Sequence, residues 1–267
     1  MVHLRDESAN GDANSLDAVS FSAERFRPYI PAPEMIAAQS DFLTSPPLRL
    51  DGELGLYAPS CSSLRVLVAC EYSGTVRDAF RCLGHDAWSC DVLPTDAAKQ
   101  WHLECKVEEV INEGWDLMIA HPPCTFLSVS GIHWNDRGRG WEGTDAALDF
   151  VRLLMAADIP KIAIENPVSV ISSKIRKPDQ IIQPHQYGHD ASKATCLWLK
   201  GLPRLHATES IPPRIIDGKK RWKNQTDGGQ NKLAPSADRW KLRSTTYAGI
   251  ARAMAEQWGG KFRQTNA

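Results

Sequence analysis

Cys124 follows a pair of prolines in the run Ala120-His121-Pro122-Pro123-Cys124-Thr125-Phe126-Leu127-Ser128-Val129-Ser130-Gly131. Consecutive prolines fix φ at two positions, so the backbone delivers the next residue in one direction. A thiol held that way at the end of an apolar run is a candidate nucleophile. Forty-one residues later stands Ile164-Glu165-Asn166-Pro167, a second apolar run closed by polar residues. A carboxyl group there would face the same crevice. Together the two segments offer a nucleophile and an acid.

Both need strands to carry them. Residues 64–70 are apolar and β-branched and end at Glu71-Tyr72-Ser73-Gly74, after which Val76, Ala79, Phe80 and Leu83 recur at helical spacing. That is strand, turn, helix. Further strands are expected at 86–91, 115–120 and 161–164, helical turns near 97–101 and 107–111, and a helix over 146–157. Alternating strands and helices imply an α/β fold with a doubly wound, mostly parallel sheet. Ligands of such sheets bind beyond the carboxyl ends of the strands. Glu71 to Gly74, Asp91, Pro122 to Cys124 and Glu165 to Pro167 each fall at such an end.

The chain has 267 residues and a formal net charge of -1, so no global field marks a polyanionic partner. The charge is uneven, however. Residues 1–63 carry four Arg against nine acids, net -5, whereas 214–243 carry nine Lys or Arg against three Asp, net +6. A polyanion is expected at the C-terminal third. The Pro-, Ser- and Asp-rich stretch 1–62 is expected to be a mobile tail with a short helix near 34–42. A catalytic core at 63–204, a small basic region at 205–243 and a C-terminal helix at 244–267 packing back on the core complete the division. Seven scattered cysteines without a CxxC pair read as reduced thiols, and Cys70, Cys82, Cys90 and Cys196 as packing. His185 and His189 have helical spacing but no Cys or HExxH context, so no metal is expected. Without an apolar run near the roughly 20 residues of a membrane span or a signal peptide, the expectation is a soluble cytoplasmic protein.

The two motifs resemble those of the DNA cytosine-C5 methyltransferases. Pro123, Cys124, Ser128, Ser130 and Gly131 follow the family's P-C-x-x-x-S-x-S-G position for position, and Glu165-Asn166-Pro167 is similar to its Glu-Asn-Val. The likeness covers roughly residues 64–199. Compact phage-encoded members carry runs similar to 197–203 and 246–250. The resemblance implies a Rossmann-like S-adenosylmethionine-dependent fold. It implies that Cys124 adds to C6 of cytosine, that Glu165 protonates or hydrogen-bonds N3 if its site raises the carboxyl pKa, and that Asn166 orients that carboxyl or the base. The target base must be flipped out or already single-stranded. Glu71, Ser73 and Gly74 would hold the methionine part of the cofactor and Asp91 its ribose. Glu104 is a displaced candidate for the acid near the adenine, and Pro122 would pack by the sulfonium.

The family's Q-x-R-x-R falls on Ala191, Lys193 and Thr195, so Lys193 replaces the first Arg and Thr195 the second, which normally helps hold the base. Only about 45 residues separate Lys200 from Thr245, a short recognition region. Lys219, Lys220, Arg221, Trp222, Lys223, Arg239, Trp240 and Lys241 are the candidate contacts to duplex or single-stranded DNA, through phosphates and base stacking. Residues 132–144, with Trp134, Arg137, Arg139 and Trp141, could close over the site. Trp198 reads as core. Amino-group methylation of cytosine or adenine, tRNA cytosine-C5 methylation and a DNA-binding relative without turnover stay open.

Overall fold

The computed structural model describes residues 63–260. The expected tail at 1–62 and residues 261–267 lie outside the described residues.

β1 (Arg65–Ala69) opens on an exposed arginine, is apolar from Val66 onward and lies inside the sheet, paired on both edges. Its side chains alternate between two cores: Leu67 and Ala69 face one, Val66 and Val68 the other. A strand covered on both faces needs apolar residues at every position, which is why the run lacks a polar alternation. α1 (Thr75–Cys82) follows, then β2 (Asp86–Asp91), β3 (His102–Glu104), β4 (Leu117–Ala120), α2 (Val129–Ile132), α3 (Glu142–Ala156) and β5 (Lys161–Pro167). After α4 (Ile171–Lys174) come β6 (Gln180–Ile182) and β7 (Thr195–Lys200), then a separate hairpin, β8 (Arg214–Ile216) and β9 (Lys219–Arg221). α5 (Arg239–Ser244) and α6 (Ala248–Trp258) end the described chain.

The seven-stranded sheet has the order β3-β2-β1-β4-β5-β7-β6. β1 to β5 pair in parallel, and β7 runs antiparallel to both β5 and β6. α1 and α6 cover one face with Val76, Phe80, Ile250 and Met254, while α3 covers the other with Leu148, Val151 and Leu154. This is the expected doubly wound α/β architecture of Rossmann-like type. The chain reverses its direction of travel across the sheet between β1 and β4, and the crevice at that switch point is where such folds place ligands.

Some elements differ from expectation. The helical turns near 97–101 and 107–111 are short 3-10 turns, Lys99–Trp101 and Val107–Glu109. β3, β6 and β7 carry no readable periodicity; two of them have only three residues. β5 runs three residues past Ile164, because β7 supplies ladder partners for Glu165, Asn166 and Pro167. Glu165 and Asn166 therefore sit inside a strand, not beyond its end. In the β8–β9 hairpin Asp217 and Gly218 have φ of 49° and 72°, the left-handed pair of a tight hairpin turn. Among the described residues no helix is long and apolar enough to cross a membrane.

Candidate active site

Beyond β1 the chain turns sharply at Cys70, a non-glycine residue with φ of 59°. The turn points Glu71 back under α1. Its buried carboxylate accepts from the backbone N–H of Val76 (2.7 Å) and Arg77 (3.2 Å) and from the Ser73 hydroxyl (3.2 Å). Glu71 thus caps the first turn of α1, where a negative charge also meets the helix dipole favourably. Glu71 thereby shapes the turn at which the methionine part of the cofactor is expected. Burial pushes the Glu71 carboxyl up, opposed by the nearby charge of His121 and by the two backbone donors. Gly74 has φ of 71°, and a Cβ there would overlap the Arg77 guanidinium, so this turn admits only glycine.

Asp91 ends β2 and lies opposite Glu104 at the end of β3. Its Oδ1 accepts from the Leu93 N–H (2.9 Å), and burial raises its carboxyl above the usual value. A half-buried carboxylate beside a glycine turn fits a ligand bearing hydroxyl donors, since each donor would offset desolvation of the charge. The donor set at the ends of β1, β2 and β3 is therefore compatible with S-adenosylmethionine. Glu104 is exposed and shares this edge. Sequence reasoning missed Arg77, which is fully buried beneath the turn and donates to the Ser89 hydroxyl (3.0 Å). Ser89 bonds His102 in turn, and His102 reaches the Leu93 carbonyl, so a polar chain braces the loop after Asp91.

The nucleophile candidate follows β4. Pro122 is buried and Cys124 is exposed. The Cys124 carbonyl accepts from the N–H groups of Leu127 (3.1 Å) and Ser128 (2.9 Å), closing a tight turn around the thiol-bearing residue. Ser128 caps α2 by accepting from Gly131 N–H. Two links tie the turn to the chain after β5: the Val170 N–H donates to the Leu127 carbonyl (3.0 Å), and Ser128 bridges Ser169. A third comes from Asn166, buried in β5, whose Nδ2 donates to the Pro122 carbonyl (2.8 Å). Its donor clamps the proline turn that presents Cys124, while its Oδ1 is buried with no hydrogen-bond partner.

Glu165 also differs from expectation. Its Oε2 accepts from His121 Nδ1 at 3.0 Å, and the two side chains are only 15% and 9% exposed. Burial alone would raise the Glu165 carboxyl, but the hydrogen bond and charge of His121, the charge of Lys193 and a hydrogen bond from Thr195 outweigh it and hold the carboxyl below its usual value. Burial pulls His121 down, and Glu165 and Glu71 more than reverse that, so the imidazole is raised. Both shifts favour the ionised form of the pair, a carboxylate beside an imidazolium. Lys193 lends its charge from a distance, because its ammonium donates to the Arg243 carbonyl (2.7 Å) at the end of α5. Thr195 is buried in β7, and its single hydroxyl proton lies between the Glu165 carboxylate and the Lys193 carbonyl (3.2 Å). His121 stands in the sequence beside the prolines, yet nothing in the spacing says that adjacent strands β4 and β5 bring it to Glu165.

The basic stretch divides in two. Lys219, Lys220 and Lys223 are exposed around the hairpin, whereas Arg221 bonds the Asp227 carbonyl (2.8 Å). Trp222 stacks on His185 with centroids 4.2 Å apart, so it is not a free stacking platform. His189 accepts from the Gly249 N–H (2.8 Å), anchoring the start of α6. α5 lies against the β1 turn: the Tyr72 hydroxyl donates to the Lys241 carbonyl (3.1 Å), Trp240 leans on the Tyr72 ring at 5.6 Å, and Lys241 pairs with Asp96 at 3.0 Å. Arg239, Trp240 and Lys241 thus belong to an element seated against the turn after β1. The loop at 132–144 is pinned from within. Arg139 donates to the Gly131 carbonyl, Asn135 to Thr144, and Trp141 to Asp136, while Trp134 stays 55% exposed.

No protein-family model matches the chain, and no curated protein matches it. Among solved structures, the Entamoeba histolytica methyltransferase EhMeth is similar at 13% identity and a TM-score of 0.38, over 57% of this chain and 58% of that one. A likeness of that strength transfers no activity.

Proposed function

We propose that this chain is an S-adenosylmethionine-dependent methyltransferase that acts at C5 of cytosine in DNA, with Cys124 as its nucleophile. The observation that carries the reading is the pairing of an exposed thiol on a clamped proline turn after β4 with a buried carboxylate on the neighbouring strand β5. Amino-group methylation would leave both groups without a task.

Bound at the ends of β1, β2 and β3, the cofactor supplies an electrophilic methyl group. Gly74 gives it close backbone approach, Asp91 accepts its hydroxyl donors, and Glu71 holds the turn. Cys124 adds to C6 and makes C5 nucleophilic, while Glu165 faces N3 and the exocyclic amino group. Asn166 keeps the thiol on line, a matter of positioning worth large factors in rate.

The test is trapping. DNA carrying 5-fluorocytosine at target sites should form a covalent complex with the wild-type protein in the presence of S-adenosylmethionine and none with Cys124→Ala. Methyl transfer to ordinary DNA by Cys124→Ala would overturn the assignment. For the partner surface, replacing Lys219, Lys220 and Lys223 by Ala should weaken DNA binding and lower the slope of log K against log salt by about 2 to 3, since each lost phosphate contact removes about 0.7 to 0.9. An unchanged slope would take the hairpin out of the interface.

A further inference from the structure

β4 lies between β1 and β5, so the first residue beyond it stands between Glu71, just past β1, and Glu165, within β5. That residue is His121. On the β5 side its Nδ1 meets Glu165 Oε2 at 3.0 Å, and on the β1 side it feels the charge of Glu71. Its other nitrogen, Nε2, is buried with no hydrogen-bond partner. A histidine kept only to hold the fold would satisfy both nitrogens, because each buried unpaired polar atom costs about 1 to 3 kcal/mol. Here one nitrogen is committed to the carboxylate and the other is left open. On β7, the strand on the far side of Glu165, Thr195 offers a hydroxyl and no charge. The cation in direct contact with Glu165 therefore comes from β4.

We infer that His121 is the positioning residue of the reaction: through Nδ1–H it holds Oε2 of Glu165 and is the source of the proton that Glu165 passes to N3 of the bound cytosine. This rests on the C5 reading above. An ionised Glu165 has no proton of its own to give, so addition at C6 requires a reservoir, and the imidazolium is one hydrogen bond away. The step balances. The Cys124 thiolate forms its bond to C6, the displaced ring electrons reach N3, and as they do the His121 Nδ1 proton passes to the Glu165 carboxylate, which delivers it to N3. Imidazolium and thiolate enter; neutral imidazole and neutral adduct result. After the methyl group has reached C5, the C5 proton passes to water, the C6–S bond breaks to release the thiolate, and the N3 proton returns through Glu165 to His121. The charged and titratable groups around the pair are Glu71 after β1, Lys193 before β7 and Cys196 in β7.

The sign of the pH dependence follows. The proton is available while His121 is charged, so the rate of adduct formation falls as pH rises through the His121 value, which lies above the ordinary imidazole value of about 6.5. His121→Asn separates holding from supplying, because the Asn amide can still donate to Oε2 but cannot titrate. In single turnovers with radiolabelled S-adenosylmethionine, His121→Asn should be slower by about 100-fold or more and should lack that alkaline fall, with DNA affinity unchanged. In the free protein, the His121 imidazole followed by NMR should titrate above the ordinary value in wild type and drop in Glu165→Gln. A His121→Asn protein with the wild-type pH profile overturns the proposal while leaving the C5 reading intact. An imidazole that titrates at or below the ordinary value, or ignores Glu165→Gln, overturns the pair whatever the reaction. Wild type that forms no adduct with 5-fluorocytosine DNA overturns the C5 reading and this role with it.

Discussion

Gly131→Ala should inactivate the protein nearly as completely as removal of the Cys124 thiol while leaving the chain folded. The backbone angle is not the reason, since Gly131 is not among the residues with positive φ. The reason is approach. A Cβ at Gly131 would overlap the carbonyl oxygen of Thr125, the residue after Cys124, and would crowd the Ser128 hydroxyl. Backbone cannot swing aside as a side chain can, so the turn from Cys124 to Ser128 has to move. That turn is held by the Cys124 carbonyl, by the Asn166 clamp on Pro122 and by the Leu127–Val170 link, all close to the thiol. A shift of about 1 Å in a reacting group costs about 100-fold in rate, and a combined change of distance and angle costs more. The fold should lose only the 1 to 3 kcal/mol typical of overpacking, roughly. The check is the rate of adduct formation on 5-fluorocytosine DNA beside a thermal melt. Wild-type adduct rates in Gly131→Ala would show that the loop tolerates displacement and that its close approach is irrelevant to the chemistry.

Trp198→Ala should be the most destabilising single truncation in the sheet. Trp198 is 1% exposed, pairs with Ile164 across β5 and β7, and donates its indole N–H to the Arg176 carbonyl (2.8 Å). Removing a fully buried indole costs about 3 to 5 kcal/mol, a large share of the roughly 5 to 15 kcal/mol that holds a domain together. For a domain of this size the melting temperature should fall by about 6 to 20 °C. Trp198→Phe keeps most of the apolar area and loses the hydrogen bond, so it should cost about 1 to 3 kcal/mol. Equal effects of the two substitutions would mean that the hydrogen bond, not the burial, dominates. Because β7 also carries Thr195 opposite the end of β5, the Ala variant should lose activity before it unfolds.

Cys124 on its proline turn, Asp91 at the end of β2 and the strand-turn-helix around Glu71 were legible in the residues alone, and so was the α/β class. Those features are local: apolar runs closed by turn residues state their own ends, and proline restricts the backbone wherever it occurs. The sheet order, the antiparallel β7 and the extension of β5 through Glu165 and Asn166 came only with the tertiary structure, because strand pairing joins residues that no periodicity relates. The same holds for the electrostatics. The sequence places an acid at 165, but whether burial raises it or a neighbour lowers it depends on which side chain the adjacent strands bring within hydrogen-bonding distance, and that side chain is His121. The basic stretch is one run in sequence but two environments in space, since Tyr72 and Asp96 draw α5 onto the turn after β1 while the hairpin lysines stay exposed. Residue types determined which chemistry was available; packing decided which atom holds the proton and which groups remain open to a partner.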